Sequence, residues 1–388
     1  MMHSHNSQPF AMPAPGTYPD LVAETFAAGQ MLYKTNLLGT INLFRAQEGK
    51  PALGWPSRGF TPHDVLWTEG TARLLRYRSE KPVAAAPVLC VFSLVNRPYV
   101  MDLLPGRSVV ESLQKAGRDV WLLDWGTPDA SANVLPLDHY SLGIIPRALD
   151  FMRTHTGMTA HVVGYCMGGT LSLISLAGGA HARSLTAMAT PVDLHDDGLL
   201  SLWTRAPGFD PRTIVDTYGH APPHLLQPAF KMLDPVGLST KLVHVRDKVG
   251  DDAFMGFFLA MEQWLEDSVG FPGRAFIEWI ELYRANALVQ PHFLSGSRKL
   301  SLKSIDVPVM SLVAEGDYIS PQRSCLAIEA ALPKATHRVL KVAGGHIGLA
   351  TGGGAHKRAW PEVGKFMDEV DAGFKKPASK GKGKGVRA

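Results

Sequence analysis

Short runs of nearly unbroken apolar residues recur along the first half of the chain. They are "PVLCVFSLV" (Pro87–Val95), "DVWLLDWG" (Asp119–Gly126), the β-branched run ending at Tyr165, and "RSLTAMAT" (Arg183–Thr190). Apolar residues at every position, instead of every second one, describe strands buried on both faces. Between these runs lie stretches with helical spacing: Ser108–Gly117, Asp138–Thr156 and the residues after Cys166. No tight hairpin signal separates one run from the next. Strands joined through helices need crossover connections, so the sheet they form is parallel and covered by helices on both sides. Asp138 is the expected N-cap of its helix and Gly157 lies beyond the end. Pro146 should either kink that helix or mark its true start. The one hairpin signal is Glu69-Gly70, within "DVLWTEGTARLLRYRSE" (Asp64–Glu80).

Near Pro191 the rhythm changes. Residues from about 196 to 295 read as helical and rich in Trp, Phe and Met, before strand–helix alternation resumes in "VPVMSLVAEGDYISP" (Val307–Pro321) and "HRVLKVAGGHIG" (His337–Gly348). An insertion between consecutive strands is most simply a cap over the sheet's carboxyl edge. The expected organisation is an N-terminal helical or extended segment, 1–62, whose helix over Leu21–Arg45 packs on the main domain. An α/β core follows in two parts, 63–195 and 299–373, around a helical cap, 196–298. A basic tail, 374–388, ends the chain. The tail "FKKPASKGKGKGVRA" holds six of the 39 basic residues, which leaves 33 against 35 acidic ones elsewhere, so the body is close to neutral. Such a composition reads as a solvated end, and no specific nucleic-acid partner is expected. The start of the chain lacks a basic stretch followed by an apolar core, so no signal peptide is expected. No run is long enough to cross a bilayer.

Cys90, Cys166 and Cys325 are the three cysteines, an odd and widely spaced set that suits a reducing compartment better than a disulfide scaffold. Cys166 sits in "VVGYCMGG", strand, Gly164-x-Cys166-x-Gly168, helix. This is the layout of a nucleophile elbow with cysteine where serine is usual. The flanking glycines fit because the turn leaves no room for side chains. The helix that begins there aims amides and a partial positive charge at the nucleophile, favouring both a thiolate and a developing oxyanion. A packed core thiol is the competing reading of the pentapeptide alone. The rest of the chain decides between them. Elbow enzymes supply nucleophile, acid and histidine in that order. Asp317 follows a strand in "LVAEGDYISP" and His346 follows the last one in "LKVAGGHIG". Both fall at carboxyl ends of strands, where α/β sheets place their chemistry. His195 is the nearest rival histidine, and a loop contact accounts for it.

With those three residues placed, the chain resembles the polyhydroxyalkanoate synthases, nearest to the short class III catalytic subunits, over roughly residues 64–372. The resemblance rests on "LVNRPYVMDLLPGRS", "DVWLLDWGTPD", "GYCMGG" and "ATPVDL". It continues through "MEQWLEDSVGFPGRAFIEWIELYRANAL", "GDYISP" and "GGHIG". Two positions depart from the family habit: Tyr318 stands where histidine often follows the aspartate, and Met167 where glutamine often follows the cysteine. The resemblance implies an α/β-hydrolase fold with a helical cap and a Cys166–His346–Asp317 triad. The oxyanion donors would be the backbone N–H groups of Met167 and, from the loop after the first long strand, Val95. It also implies transfer of 3-hydroxyacyl groups from coenzyme A to Cys166 and on to a growing polyester. Coenzyme A would then be part of a substrate, with no cofactor or metal. Also implied are a second synthase subunit, a homo-oligomer, and a cytoplasmic place at the polyester granule surface. A depolymerase or thioesterase on the same scaffold is the alternative. Phe254, Phe257, Phe258, Trp264, Phe276 and Trp279 are candidates for a lid or partner surface, against the plainer reading that each is core of the insertion.

Overall fold

The structure is a computed structural model and describes residues 18–79, 83, 85–196, 198–234, 241 and 243–373. The basic tail lies outside the described residues. Eight strands form the main sheet: β1 (His63–Glu69), β2 (Ala72–Tyr77), β3 (Val88–Val91), β4 (Val120–Asp124), β5 (His161–Tyr165), β6 (Leu185–Met188), β7 (Val309–Ala314) and β8 (His337–Val342). Their order is β1-β2-β4-β3-β5-β6-β7-β8. Only β1/β2 and β2/β4 pair antiparallel, and every other neighbour is parallel. The β1–β2 hairpin turns at Gly70, whose φ of 55° is the left-handed conformation such a turn requires. Every residue of β3, β4, β5, β6 and β7 is buried, as their unbroken apolar sequences demand.

The two faces are covered separately, and the strand period of two sorts the residues between them. Leu89, Val91, Trp121 and Leu123 face α3 (Ile145–Thr156) and α4 (Met167–Ala177), through Ala148, Leu149, Met152, Leu171 and Ile174. Val88, Cys90, Val120 and Leu122 face α2 (Val109–Lys115) and the long C-terminal helix Gly353–Gly373, through Val110, Leu113, Trp360, Val363 and Met367. Cys90 is thus a packed core thiol. Ser108 caps α2 by accepting the Glu111 N–H at 2.9 Å.

Asp138 does not cap α3. A π-helical turn, His139–Ile144, precedes it, and Asp138 makes no capping bond. The helix proper begins at Ile145 because Pro146 lacks an N–H and fits only a first turn. Gly157, in the left-handed conformation, ends it as expected.

The insertion runs between β6 and β7, which are neighbours in the sheet. It carries α5 (Leu199–Arg205), α6 (Pro211–Tyr218), α7 (Pro223–Met232), α8 (Asp252–Leu265) and α9 (Gly273–Arg284). Two short antiparallel ladders, Phe271–Pro272 with His220–Ala221 and Phe293–Ser295 with Arg298–Leu300, interrupt the helical pattern. Phe276 and Trp279 on α9 join the core cluster under α3 and α4, so for them the plain reading holds.

The N-terminal helix α1 (Tyr18–Gln47) departs from expectation. It packs on the cap, with Leu37 and Ile41 against Val245, Val249, Met255, Phe258 and Leu259. Both faces of the sheet are already covered, and the cap, with Leu53 and Trp55 from the segment after α1, packs against the helix's apolar residues. Arg45, fully buried, pins the end of α1 through the carbonyls of Pro51 at 2.8 Å and Val249 at 2.9 Å and through Asp252 at 2.7 Å. No helix among the described residues is long and apolar enough to cross a membrane.

Candidate active site

Cys166 lies between the end of β5 and the start of α4, with φ 54° and ψ −123°. A non-glycine residue holds such a φ only where its surroundings enforce it, as at a tight turn that projects a reactive side chain. The enforcement is visible. The Cys166 N–H donates to the Met188 carbonyl at 2.8 Å, and the Cys166 carbonyl accepts from Gly169 at 2.9 Å and Thr170 at 3.2 Å, starting α4. A Cβ on Gly164 would stand 2.5 Å from the Gly169 Cα. One on Gly168 would lie 2.7 Å from the Val91 carbonyl carbon and 2.8 Å from the Phe92 oxygen. The glycines therefore let helix and strand approach closely enough to bend the chain at Cys166.

His346 and Asp317 arrive on the loops after β8 and β7, beside that turn. His346 Nδ1 donates to Asp317 Oδ2 at 2.7 Å. The other carboxylate oxygen accepts the backbone N–H groups of Ile319 at 2.9 Å and Ser320 at 2.8 Å, which fixes its orientation. On its other side His346 faces the cavity it shares with Cys166, and the two groups shift each other's ionisation. Asp317 and His346 are each 8% exposed, while Cys166 stays partly accessible.

Burial pushes the Cys166 thiol up. The charge of the His346 imidazolium and its hydrogen bond, with the Met167 amide, outweigh burial and the nearby Asp317 carboxylate, so the thiol sits below its ordinary range. For His346 burial acts downward, and the Cys166 thiolate and the Asp317 carboxylate raise it above its ordinary range. Each group thus favours the charged form of the other.

The remaining expected residues also gather here. Met167 opens α4 directly after Cys166, and its amide lowers the thiol's ionisation range; Val95 lines the same cavity as Cys166 and His346. That cavity, of about 290 Å³, is walled by Phe92, Tyr165, Trp264, Leu265, Ile319 and Ile347 among others, so its lining is mainly apolar. Tyr318 lies at its edge, 44% exposed. His195 stays outside it, its Nε2 3.1 Å from the carbonyls of Tyr283 and Arg284 on α9. Trp264 is the one aromatic from the candidate lid set that lines the cavity.

Sequence reasoning missed two features. Tyr165 stacks its ring on His346, centroids 5.2 Å apart, and donates its hydroxyl to the His346 carbonyl at 3.1 Å. Nothing in a strand of apolar residues distinguishes it. The cavity wall also carries two ion pairs from the cap, Lys231–Glu266 at 2.7 Å and Lys241–Glu262 at 2.5 Å. Tyr33 of α1 donates to Glu262 at 2.8 Å. These join residues from separate elements, and no local pattern announces them.

The alpha/beta hydrolase fold family matches residues 101–352, which include all three central residues. The poly(3-hydroxyalkanoate) polymerase subunit PhaC of Allochromatium vinosum is 34% identical over 321 residues, covering 80% of this chain and 89% of that protein. The protein of the same name from Haloferax mediterranei is 33% identical over 319 residues, 81% of this chain but 65% of that longer protein. That from Synechocystis sp. is 32% identical over 323 residues, covering 80% and 85%.

Proposed function

The chain belongs to the poly(3-hydroxyalkanoate) polymerase family within the α/β-hydrolase fold, and we propose that it lengthens a polyester by acyl transfer through Cys166, His346 and Asp317. The observation that carries the mechanism is that a partly accessible sulfur and His346 line one cavity, with His346 held by a carboxylate that two amides fix.

The substrate class is the 3-hydroxyacyl thioester of coenzyme A. The Cys166 thiolate attacks the thioester carbonyl, and the oxyanion is held by the Met167 amide together with an amide of the Val95 loop. Collapse of the adduct breaks the bond to the coenzyme A sulfur, which leaves with the proton of the His346 imidazolium. The product is an acyl-Cys166 thioester. Exchange between two thioesters is nearly isoenergetic, so the acyl group keeps its activation, which an oxygen ester on serine would surrender. The 3-hydroxyl of another acyl unit then attacks the acyl-Cys166 carbonyl and gives its proton to His346. An ester forms and the cysteine sulfur is released. Asp317 orients His346 and stabilises its charged form. An apolar cavity suits this chemistry because water competes with the hydroxyl for the acyl-enzyme.

The term subunit in the relatives' names supports assembly with a second subunit. A granule-surface location and a homo-oligomer follow from the same reading. The test is incubation with 3-hydroxybutyryl-coenzyme A, with and without a co-expressed partner, following thiol release and polymer together. Polymer accompanying released coenzyme A is the expected result, abolished in Cys166→Ala. Free 3-hydroxybutyrate as the only product would overturn it in favour of a hydrolase.

A further inference from the structure

Two sequence elements that an α/β hydrolase in general does not need, "LVNRPY" (Leu94–Tyr99) and "EQWLEDS" (Glu262–Ser268), meet in the structure. Residues 92–97 form neither helix nor strand. The direction of the amides in such a loop is set by whatever its carbonyls and side chains hold. From the cap side, the Trp264 indole N–H donates to the Arg97 carbonyl at 2.7 Å. The Tyr99 hydroxyl donates to Asp267 Oδ2 at 3.2 Å, and Arg97 Nε stands 3.7 Å from Oδ1. The Val269 N–H donates to the Val95 carbonyl at 3.4 Å. Arg58 adds a third cation-bearing or hydroxyl donor to Asp267, at 2.7 Å. From the core side, Trp125 donates to the Phe92 carbonyl at 2.9 Å and Arg97 to Thr127 Oγ1 at 2.8 Å. Val95, Asn96, Trp264 and Ser268 all line the cavity that holds Cys166.

We propose that Asp267, with Trp264, is a positioning residue: it holds the Val95–Asn96 backbone in place beside Cys166 and so makes oxyanion stabilisation depend on a seated cap. The inference rests on the acyl-transfer reading above. Its physical basis is that an oxyanion donor acts only when aimed within a few tenths of an ångström. One carboxylate gathering Arg97 and Tyr99, with Arg58 from the segment before β1, ties the far end of the loop after β3 to the turn after α8. Without its charge, two guanidinium groups lose their counter-ion and the loop is free to relax. A cap that lifts would carry the donor away with it, so bond-making and closure become one event.

The experiment compares Asp267→Asn and Tyr99→Phe with the unaltered full-length chain in two assays. One is coenzyme A release, read as kcat and KM. The other is alkylation of Cys166 by iodoacetamide, in which sulfur displaces iodide at a saturated carbon and no oxyanion forms. Alkylation therefore reports the thiolate and its accessibility and ignores the loop. Expected are a kcat lowered about ten- to a hundredfold in Asp267→Asn and about threefold to tenfold in Tyr99→Phe, with KM changed little. The alkylation rate and its pH profile should stay unchanged in both. Unchanged kcat in both variants would overturn the proposal, and so would alkylation that falls in step with coenzyme A release, because that would mean general collapse of the site. Failure of the underlying reading looks different: the unaltered chain, once alkylated at Cys166, would continue to release coenzyme A.

Discussion

Replacing His346 by Ala should suppress the reactivity of Cys166 even toward a reagent that needs no general base. The magnitude follows from the forces on the sulfur. An ordinary thiol titrating at 9.0 is about 1% ionised at pH 7, and each further unit is tenfold in thiolate. In the structure burial and the Asp317 carboxylate oppose ionisation, while the His346 charge, its hydrogen bond and the Met167 amide favour it. Without the imidazole only the Met167 amide remains on the favourable side, so the thiol moves above 9.0 and the thiolate falls below about 1% at pH 7. Alkylation of Cys166 by iodoacetamide at pH 7 should therefore slow roughly ten- to a hundredfold. Intact-mass kinetics with peptide mapping measure it, and the buried Cys90 and Cys325 serve as internal controls. The pH dependence has a definite sign. Because the Cys166 value is depressed and that of His346 raised, the ion pair exists between them. Alkylation should fall only as pH drops through the lower value. Coenzyme A release should fall on both sides, since above the upper value His346 has no proton for the leaving sulfur. Alkylation of His346→Ala at the rate of the unaltered chain at pH 7 would refute this reasoning.

Three further outcomes follow from the packing. Gly168→Ala places a methyl against the backbone of Val91 and Phe92, so α4 must retreat; stability should fall by about 1–3 kcal/mol and coenzyme A release by about a hundredfold, measured by denaturant titration and kinetics. Tyr165→Phe keeps the ring on His346 and removes the hydroxyl from its carbonyl, which keeps the longer Leu349 N–H bond at 3.4 Å; a loss of about 0.5–1.5 kcal/mol in the same titration is expected. Arg45→Met strips the donors from the carbonyls of Pro51 and Val249, which should loosen α1 from the cap and bring earlier cleavage within Tyr18–Gln47 on limited proteolysis.

The fold was legible wherever one short segment carries its own constraint. Apolar runs without alternation identified β3, β4, β5, β6 and β7, because burial on both faces leaves no polar position. Gly157 announced a helix end and Gly70 a hairpin, since each needs a positive φ that other residues resist. Asp138 failed as a cap because Pro146, eight residues on, decides where an α-helical turn can start, and the chain between them relaxes into a π-helical turn. The docking of α1 was misread for another reason. Its apolar positions say that something covers them, but Leu37 and Ile41 fit the cap as well as they would fit a sheet face.

The same division runs through the site. The turn at Cys166 was readable because close approach at Gly164 and Gly168 is a property of five consecutive residues. Asp317 and His346 were readable because strand ends in a parallel sheet converge on one edge, so chain order becomes spatial order. The cap obeys no such rule. Whether Asp267 is a solvated acid or the anchor of Arg58, Arg97 and Tyr99 depends on how α8 and the loop after it settle over residues about 170 to 210 positions earlier. Glu262 illustrates the same point: only 2% exposed, it is tolerable in the wall because Lys241 and Tyr33 reach it from two other elements. Its partners come from the cap and from α1, so its surroundings are a property of both together, and no reading of "MEQWLEDS" by itself could have contained them.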